Sequence, residues 1–206
     1  MAISETFLIL AATTAVLAIM FGIRVAIRAV AGGDAAAPRP DGGEASASGA
    51  SDAPDVAGVI ALPPLIFLGF LAAAALFEVV VPLAVLGAHA FPRYLAGAVL
   101  AAGGSVMILM GTRRFQAAGT NIPPSLPTTA LVVDGIYRRT RNPLYLGMTL
   151  VYLGVGVAAG SIWAIVLVVP LLWIINSGVI VREESYLERK FGDAYRAYKA
   201  RVRRWV

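Results

Sequence analysis

Long apolar runs separated by short polar segments dominate this chain. A helix needs roughly 20 apolar residues to cross a bilayer, and runs near that length occur at residues 7–27, 59–77, 94–110, 143–159 and 162–181. The last two runs are joined only by Gly160 and Ser161, so they predict a tight antiparallel hairpin whose polar ends lie side by side. The pattern predicts an all-α polytopic membrane protein with about five transmembrane helices.

Residues 32–58 interrupt this pattern with a segment made almost wholly of Ala, Gly, Ser, Pro and Asp. Such a composition does not bury enough apolar surface to fold. We therefore predict an N-terminal transmembrane anchor over residues 1–31, a flexible tether over 32–58 and a compact membrane domain over 59–206. On this interpretation, the chemistry survives loss of the residues before about Val56.

The C-terminal part of the chain predicts an amphipathic helix. Its apolar residues recur at steps of three or four, with lysines and arginines between them: Leu187, Phe191, Tyr195, Tyr198, Val202 and Trp205. Gly192 and Asp193 predict a break, since glycine ends helices and aspartate caps them. This helix lies on the membrane surface or folds back as a roof over the polar ends of the hairpin.

Composition agrees with a membrane protein and narrows the chemistry. The 206 residues are 59% hydrophobic and 14% charged, whereas a soluble domain has roughly a quarter of its residues charged. There is no cysteine, and His89 is the sole histidine. A transition-metal site or a Ser-His-Asp triad is therefore not expected.

The basic residues predict the orientation. Sixteen of the seventeen lysines and arginines, all except Arg93, fall on one side if the N-terminus is outside. Basic loops stay in the cytoplasm, so the polar ends of the hairpin and the C-terminal helix are expected there. The arrangement favours a bacterial inner membrane.

An arginine-rich stretch, residues 135–147, leads into the fourth apolar run. Asn142 and Pro143 are typical of a helix start, with the asparagine as cap. The helix N-terminus together with Arg138 and Arg141 would favour a carboxylate or phosphate. The alternative is that these arginines only enforce topology and contact lipid phosphates.

Glycines and acids mark the same hairpin. Gly147 and Gly154 share a helix face, and Gly154 with Gly156 forms a GxG pattern that suits either helix packing or close approach of a flat ligand. Glu183 and Glu184 end the fifth run, where they pair with arginines or accept hydrogen bonds from a ligand. The proline-rich loop at 115–134 predicts an ordered lid or wall.

Taken together, these residues resemble the isoprenylcysteine carboxyl methyltransferase and phospholipid methyltransferase superfamily of membrane enzymes. The resemblance implies S-adenosylmethionine as cofactor, with a GxG and a Glu-Glu pair among its binding motifs. Arg141, Asn142 and Glu184 are then the catalytic candidates. The cofactor-binding candidates are Tyr137, Arg138, Arg141, Asn142, Pro143, Tyr145, Leu146, Gly147, Gly154, Gly156, Glu183, Glu184, Leu187, Tyr195 and Tyr198. Many relatives have histidine before the proline, and Asn142 removes the titratable group there.

The resemblance implies methyl transfer to a lipophilic acceptor at the inner leaflet: a prenylcysteine-like carboxylate, a phospholipid amine or another lipid. The partners are membrane lipids and a lipophilic or lipidated substrate, with no nucleic acid and no metal. Two alternatives stay open. The hairpin is also similar to that of NADPH-dependent sterol reductases, and a non-catalytic protein would use the basic tail to bind anionic lipid.

Overall fold

The computed structural model describes residues 55–83 and 90–206, and all regular secondary structure in them is helical. The six α-helices are α1 Pro63–Val80, α2 Ala90–Ala117, α3 Pro143–Ala159, α4 Ile162–Ile174, α5 Val181–Phe191 and α6 Asp193–Arg201. A 3₁₀ turn, Gly135–Arg138, precedes α3, and a π-helical segment, Ile175–Ile180, joins α4 to α5. The all-α prediction is confirmed. The predicted anchor, and the predicted tether as far as residue 54, lie outside the described residues.

Among the described residues, three helices are long and apolar enough to cross a membrane: α1, α2 and the continuous helix Ile162–Phe191 that runs from α4 through α5. Helix α3 is apolar but has only 17 residues. Each of the four predicted runs after residue 58 therefore corresponds to an apolar helix. The first run, residues 7–27, lies outside the described residues.

The predicted hairpin joins α3 to α4. Gly160 has a φ of 71°, a left-handed conformation that glycine adopts without steric cost. Ser161 then caps α4 by accepting a hydrogen bond from the amide of Ala164 at 3.2 Å. Because this turn is so short, the other ends of α3 and the α4–α5 helix come together at the opposite end of the bundle.

The α3–α4 turn is also tied to α1. The Ser161 hydroxyl donates to the Glu78 carboxylate at 2.9 Å, and the Trp163 indole nitrogen donates to the Val81 carbonyl at 2.8 Å. The Phe77 and Trp163 rings lie 5.0 Å apart. Glu78 therefore joins α1 to the start of α4.

Glycines bring α2 and α3 into close contact. Gly97 faces Gly154, and Gly104 faces Gly147, so the two pairs repeat every seven residues along antiparallel helices. A Cβ added at Gly97 would lie 2.6 Å from the Gly154 carbonyl oxygen. Such backbone contact is typical of small residues at membrane helix interfaces, and it fixes α3 beside α2.

Helix α6 folds back toward the start of α3. Gly192, with a φ of 52°, separates α5 from α6 at the predicted break. The Tyr198 hydroxyl then donates to the Tyr137 carbonyl at 2.8 Å, and both side chains are buried. Of the two predicted arrangements for the C-terminal helix, the structure shows the one in which it folds back over the polar ends of the hairpin.

Candidate functional site

A cavity lies at the end of the bundle opposite the α3–α4 turn, beneath α5 and α6. Its lining joins charged, aromatic and apolar side chains from four parts of the chain. Ten of the predicted site residues line it: Tyr137, Arg141, Asn142, Pro143, Tyr145, Glu183, Glu184, Leu187, Tyr195 and Tyr198. The structure therefore brings the arginine-rich motif and the glutamate pair together.

Arg141 lines this cavity with an almost fully buried side chain. One terminal nitrogen donates to the carbonyls of Lys199 and Val202 at 2.9 and 3.0 Å, and the other donates to Glu184 at 2.8 Å. Its Nε is buried and has no hydrogen-bond partner among the described residues. Since buried donors are nearly always paired, this nitrogen is a donor with unused capacity.

Glu184 is held by two arginines. Its Oε1 accepts from Arg141 at 2.8 Å and from the Arg204 Nε at 3.1 Å, while its Oε2 accepts from Arg204 at 2.6 Å. The Glu184 side chain is 8% exposed. Charge-assisted, forked hydrogen bonds of this kind fix side-chain direction as well as charge. Glu184 therefore orients both guanidinium groups.

Glu183 has a different environment. It accepts a hydrogen bond from the Tyr145 hydroxyl at 2.6 Å, and no cation pairs with it among residues 55–83 and 90–206. It therefore presents a carboxyl group to the cavity with acceptor capacity to spare. In the same ranges, no three His, Cys, Asp or Glu side chains are grouped as metal ligands.

Aromatic side chains form one wall of the cavity. Tyr137, Tyr195 and Tyr198 are buried together, and the Phe115 ring meets Tyr137 edge-on at 5.5 Å. Burial raises the pKa of all three tyrosines, so their hydroxyls stay neutral. This wall offers flat apolar surface beside the charged groups.

A model of the family described as phospholipid methyltransferase matches residues 92–194, which is half of the chain. This range runs from α2 into α6 and includes Arg141, Glu183 and Glu184. The chain belongs to the phospholipid methyltransferase family.

Two relatives are consistent with that family. The protein-S-isoprenylcysteine O-methyltransferase of Schizosaccharomyces pombe is 39% identical over 72 residues, which are 35% of this chain and 30% of that enzyme. An uncharacterized protein of Haemophilus influenzae is 44% identical over 63 residues, 31% of this chain and 100% of that protein. No solved structure matches the chain. The family and the fission-yeast relative support methyltransferase activity on lipid-related substrates.

Asn142 lies in the family's range but does not cap α3 as predicted. Its side chain makes no capping hydrogen bond. The amide nitrogen instead donates to the Arg204 carbonyl at 2.9 Å. The predicted cap is wrong because the bond from the Asn142 side-chain nitrogen to the Arg204 carbonyl directs the side chain to the C-terminal segment, and its oxygen accepts no amide of the first turn of α3.

Five other residues were predicted to bind the cofactor but do not line the cavity. They are Arg138, Leu146, Gly147, Gly154 and Gly156. The Arg138 side chain is 74% exposed and pairs with Asp134 at 3.2 Å. Gly154 packs against α2, and a Cβ on Gly156 would lie 2.6 Å from the Ala164 Cβ. The placement of these glycines agrees with the helix-packing interpretation.

The cavity also has walls that the arginine and glutamate motifs did not indicate. Asn121, Pro123 and Pro124 belong to the proline-rich loop predicted as a lid or wall, and they line it. Ala57 lines it too, although it falls in the predicted tether. Its small size and alanine-rich surroundings gave no signal of this contact.

Residues 55–60 form a strap that crosses from this cavity to the start of α1. Asp55 accepts hydrogen bonds from Lys190 at 2.6 Å and from the Tyr186 hydroxyl at 3.0 Å. The Ile60 amide donates to the Gly178 carbonyl at 3.3 Å. The strap therefore joins the tether to α5 and to the π-helical segment.

Tyr186 connects the strap to the loop. Its buried hydroxyl also accepts from the Thr128 amide at 3.0 Å. We expect Tyr186→Phe to destabilise the chain by about 0.5–1.5 kcal/mol, chiefly because the Thr128 amide loses its part-buried acceptor. At roughly 2–4 °C per kcal/mol for a chain of this size, thermal unfolding in detergent measures the loss.

Tyr152→Phe is the matched control for this prediction. Tyr152 is 1% exposed, and its hydroxyl has no hydrogen-bond partner among the described residues. Removing an unpaired buried hydroxyl relieves a desolvation cost. We expect an unchanged or raised melting temperature, and equal losses in the two variants would contradict the role given to Tyr186.

Proposed function

We propose that this phospholipid methyltransferase family member transfers a methyl group from S-adenosylmethionine to a lipophilic acceptor. The observation that carries the proposal is the meeting of Arg141, Glu183, Glu184 and an aromatic wall around one cavity. These groups lie at the polar end of an apolar hairpin. Such a position gives access both to a water-soluble cofactor and to a lipid.

The residues present fit this cofactor. Its carboxylate is the acceptor that the unpaired Arg141 Nε lacks, after a small shift of the side chains that now cover this nitrogen. Its amine and ribose hydroxyls are donors suited to Glu183, which has no cation partner among the described residues. Its adenine suits the wall formed by Tyr137, Tyr195 and Leu187.

S-adenosylmethionine supplies an activated methyl group on a sulfonium, and transfer of that group is an in-line displacement. The chain's own contribution is positioning and exclusion of water, which can account for a large part of the acceleration. Arg141 and Glu184 fix each other's direction, and the Glu183 carboxyl favours a cationic ligand. A histidine is not required, which agrees with Asn142 at the position before Pro143.

The topology belongs to the same proposal. We place the cavity on the cytoplasmic side of a bacterial inner membrane, because the basic residues concentrate at this end. The acceptor would enter from the inner leaflet between apolar helices. The anchor, residues 1–31, would hold the catalytic domain at the membrane.

Isothermal titration of the full-length protein in detergent tests the cofactor. We expect saturable binding of S-adenosylmethionine in the micromolar range, typical of enzymes for their substrates, and no binding of NADPH. Preference for NADPH would support a reductase. Absence of S-adenosylmethionine binding at millimolar concentration would refute the proposal.

Lipid mass spectrometry then identifies the acceptor. Membranes with and without the active protein are compared for species heavier by one methyl group in place of a hydrogen. The Arg141→Ala variant is the control for background methylation. Fragmentation of the shifted species shows whether oxygen, nitrogen or sulfur received the methyl group.

A further inference from the structure

The chain beyond α6 is bonded closely to the arginine motif. The Arg204 carbonyl accepts from the Thr140 hydroxyl at 3.1 Å and from the Asn142 amide at 2.9 Å. The Arg203 carbonyl accepts from the Arg141 backbone amide at 3.0 Å. Every residue from 140 to 142 therefore donates to this terminal segment, which extends past the family match ending at residue 194.

The Arg204 side chain turns from this segment toward the cavity's charged groups. Its Nε donates to the Glu184 Oε1 at 3.1 Å, and one terminal nitrogen donates to the Oε2 at 2.6 Å. The other terminal nitrogen donates to the Asn176 side-chain oxygen at 3.0 Å. Asn176 lies in the π-helical segment, a kind of irregularity found frequently at functional sites.

Arg204 does not itself line the cavity. It is connected to the cavity through Glu184, because Arg204 and Arg141 both donate to the Glu184 Oε1. Without Arg204, Oε2 of this buried carboxylate loses its partner and the side chain can rotate toward Arg141. Rotation of Glu184 would move the Arg141 guanidinium that donates to it from its present position at the cavity.

We infer that Arg204 is a positioning residue of the methyltransferase site, acting through Glu184 to orient Arg141 toward the ligand carboxylate. The inference rests on the proposed function. It assigns the terminal segment, residues 202–206, to the site and not to the membrane surface alone. Trp205, packed against the core of the bundle, anchors this segment on its other side.

The test compares full-length Arg204→Ala and Arg204→Lys with Arg201→Ala. Arg201 is an exposed arginine whose Nε donates to the Ala197 carbonyl in its own helix. We expect Arg204→Ala to weaken S-adenosylmethionine binding on the order of tenfold or more, as for loss of hydrogen bonds to a charged group. Lysine has one ammonium group in place of a planar fork, so Arg204→Lys should be intermediate. Arg201→Ala should stay within about twofold.

A double-mutant cycle with Glu184→Gln separates positioning from plain stability. If Arg204 acts through Glu184, the double variant binds about as weakly as the weaker single variant. Fold-changes that multiply would overturn the inference. So would a lower melting temperature with unchanged affinity of the folded protein, since that is a structural role alone. Absence of binding by the wild type overturns the proposed function itself, whereas wild-type affinity retained in Arg204→Ala overturns only this inference.

Discussion

The Arg141→Ala variant is expected to lose measurable S-adenosylmethionine binding. Arg141 lines the cavity, and in the proposed function its unpaired Nε donates to the carboxylate of the cofactor. The substitution also removes one of the two arginines that hold Glu184. Each lost hydrogen bond to a charged group is worth about 1.5–3 kcal/mol, so the combined loss exceeds a hundredfold in affinity. Arg204 still pairs with Glu184, and the fold should therefore survive.

Two neighbouring arginines make the comparison specific. Arg138 was the other sequence candidate for the carboxylate, but it is exposed and pairs with Asp134. Arg139 is exposed as well. We expect Arg138→Ala and Arg139→Ala to bind within about threefold of wild type. If Arg138→Ala loses binding while Arg141→Ala keeps it, the carboxylate site has been assigned to the wrong arginine.

The Arg141→Lys variant distinguishes a loss of cofactor binding from a loss of folding. Lysine keeps the positive charge but does not reproduce the guanidinium's several directed donors. It should retain the melting temperature better than Arg141→Ala while still weakening binding by roughly tenfold or more. Titration calorimetry and thermal unfolding of the same preparations measure the two effects separately.

The sequence was sufficient to predict the four apolar helices after residue 58 and the meeting of Arg141 with the glutamates. A two-residue turn at Gly160 and Ser161 leaves α3 and α4 only an antiparallel arrangement. Residues that precede α3 and follow α4 must then be neighbours. Here a short connection decides the tertiary contact, and connection length can be read directly from the chain.

Contacts made by irregular segments could not be predicted in this way. Arg204 lies beyond α6, and Asp55 lies in a segment whose composition indicates only a tether. Arg204 falls within the predicted periodic pattern, which runs to Trp205, but α6 ends at Arg201 and the chain is extended at Val202. The partners of both residues are distant along the chain. The Asn142 amide likewise had a good local interpretation as a cap, which the Arg204 carbonyl overrides.

The glycines show a pattern with two physical explanations. Gly147 and Gly154 recur at a helical spacing that suits either a ligand or a neighbouring helix. The choice depends on which face of α3 meets α2, and that face is set by Gly97 and Gly104. Only the three-dimensional arrangement shows that both pairs are used for packing.

Because of this packing, we expect the second large effect, a loss of stability, from the substitution Gly104→Ala. A Cβ added there would lie 2.9 Å from both the Leu150 Cβ and the Val151 amide nitrogen, and closer still to the Gly147 carbonyl. Since most of these atoms are backbone, α2 and α3 must separate to accept even one methyl group. Overpacking of this kind costs about 1–3 kcal/mol and occasionally more.

Gly103 provides the matched control, because it is the preceding residue of the same helix and has nothing within 4 Å of an added Cβ. Gly103→Ala should be neutral or slightly stabilising, since alanine favours helix over glycine by about 1 kcal/mol. Gly104→Ala should lower the melting temperature by several degrees in detergent. It should also weaken cofactor binding, because α3 carries Tyr145 and begins next to Arg141. Equal behaviour of the two variants would mean that α2 and α3 do not meet along this glycine seam.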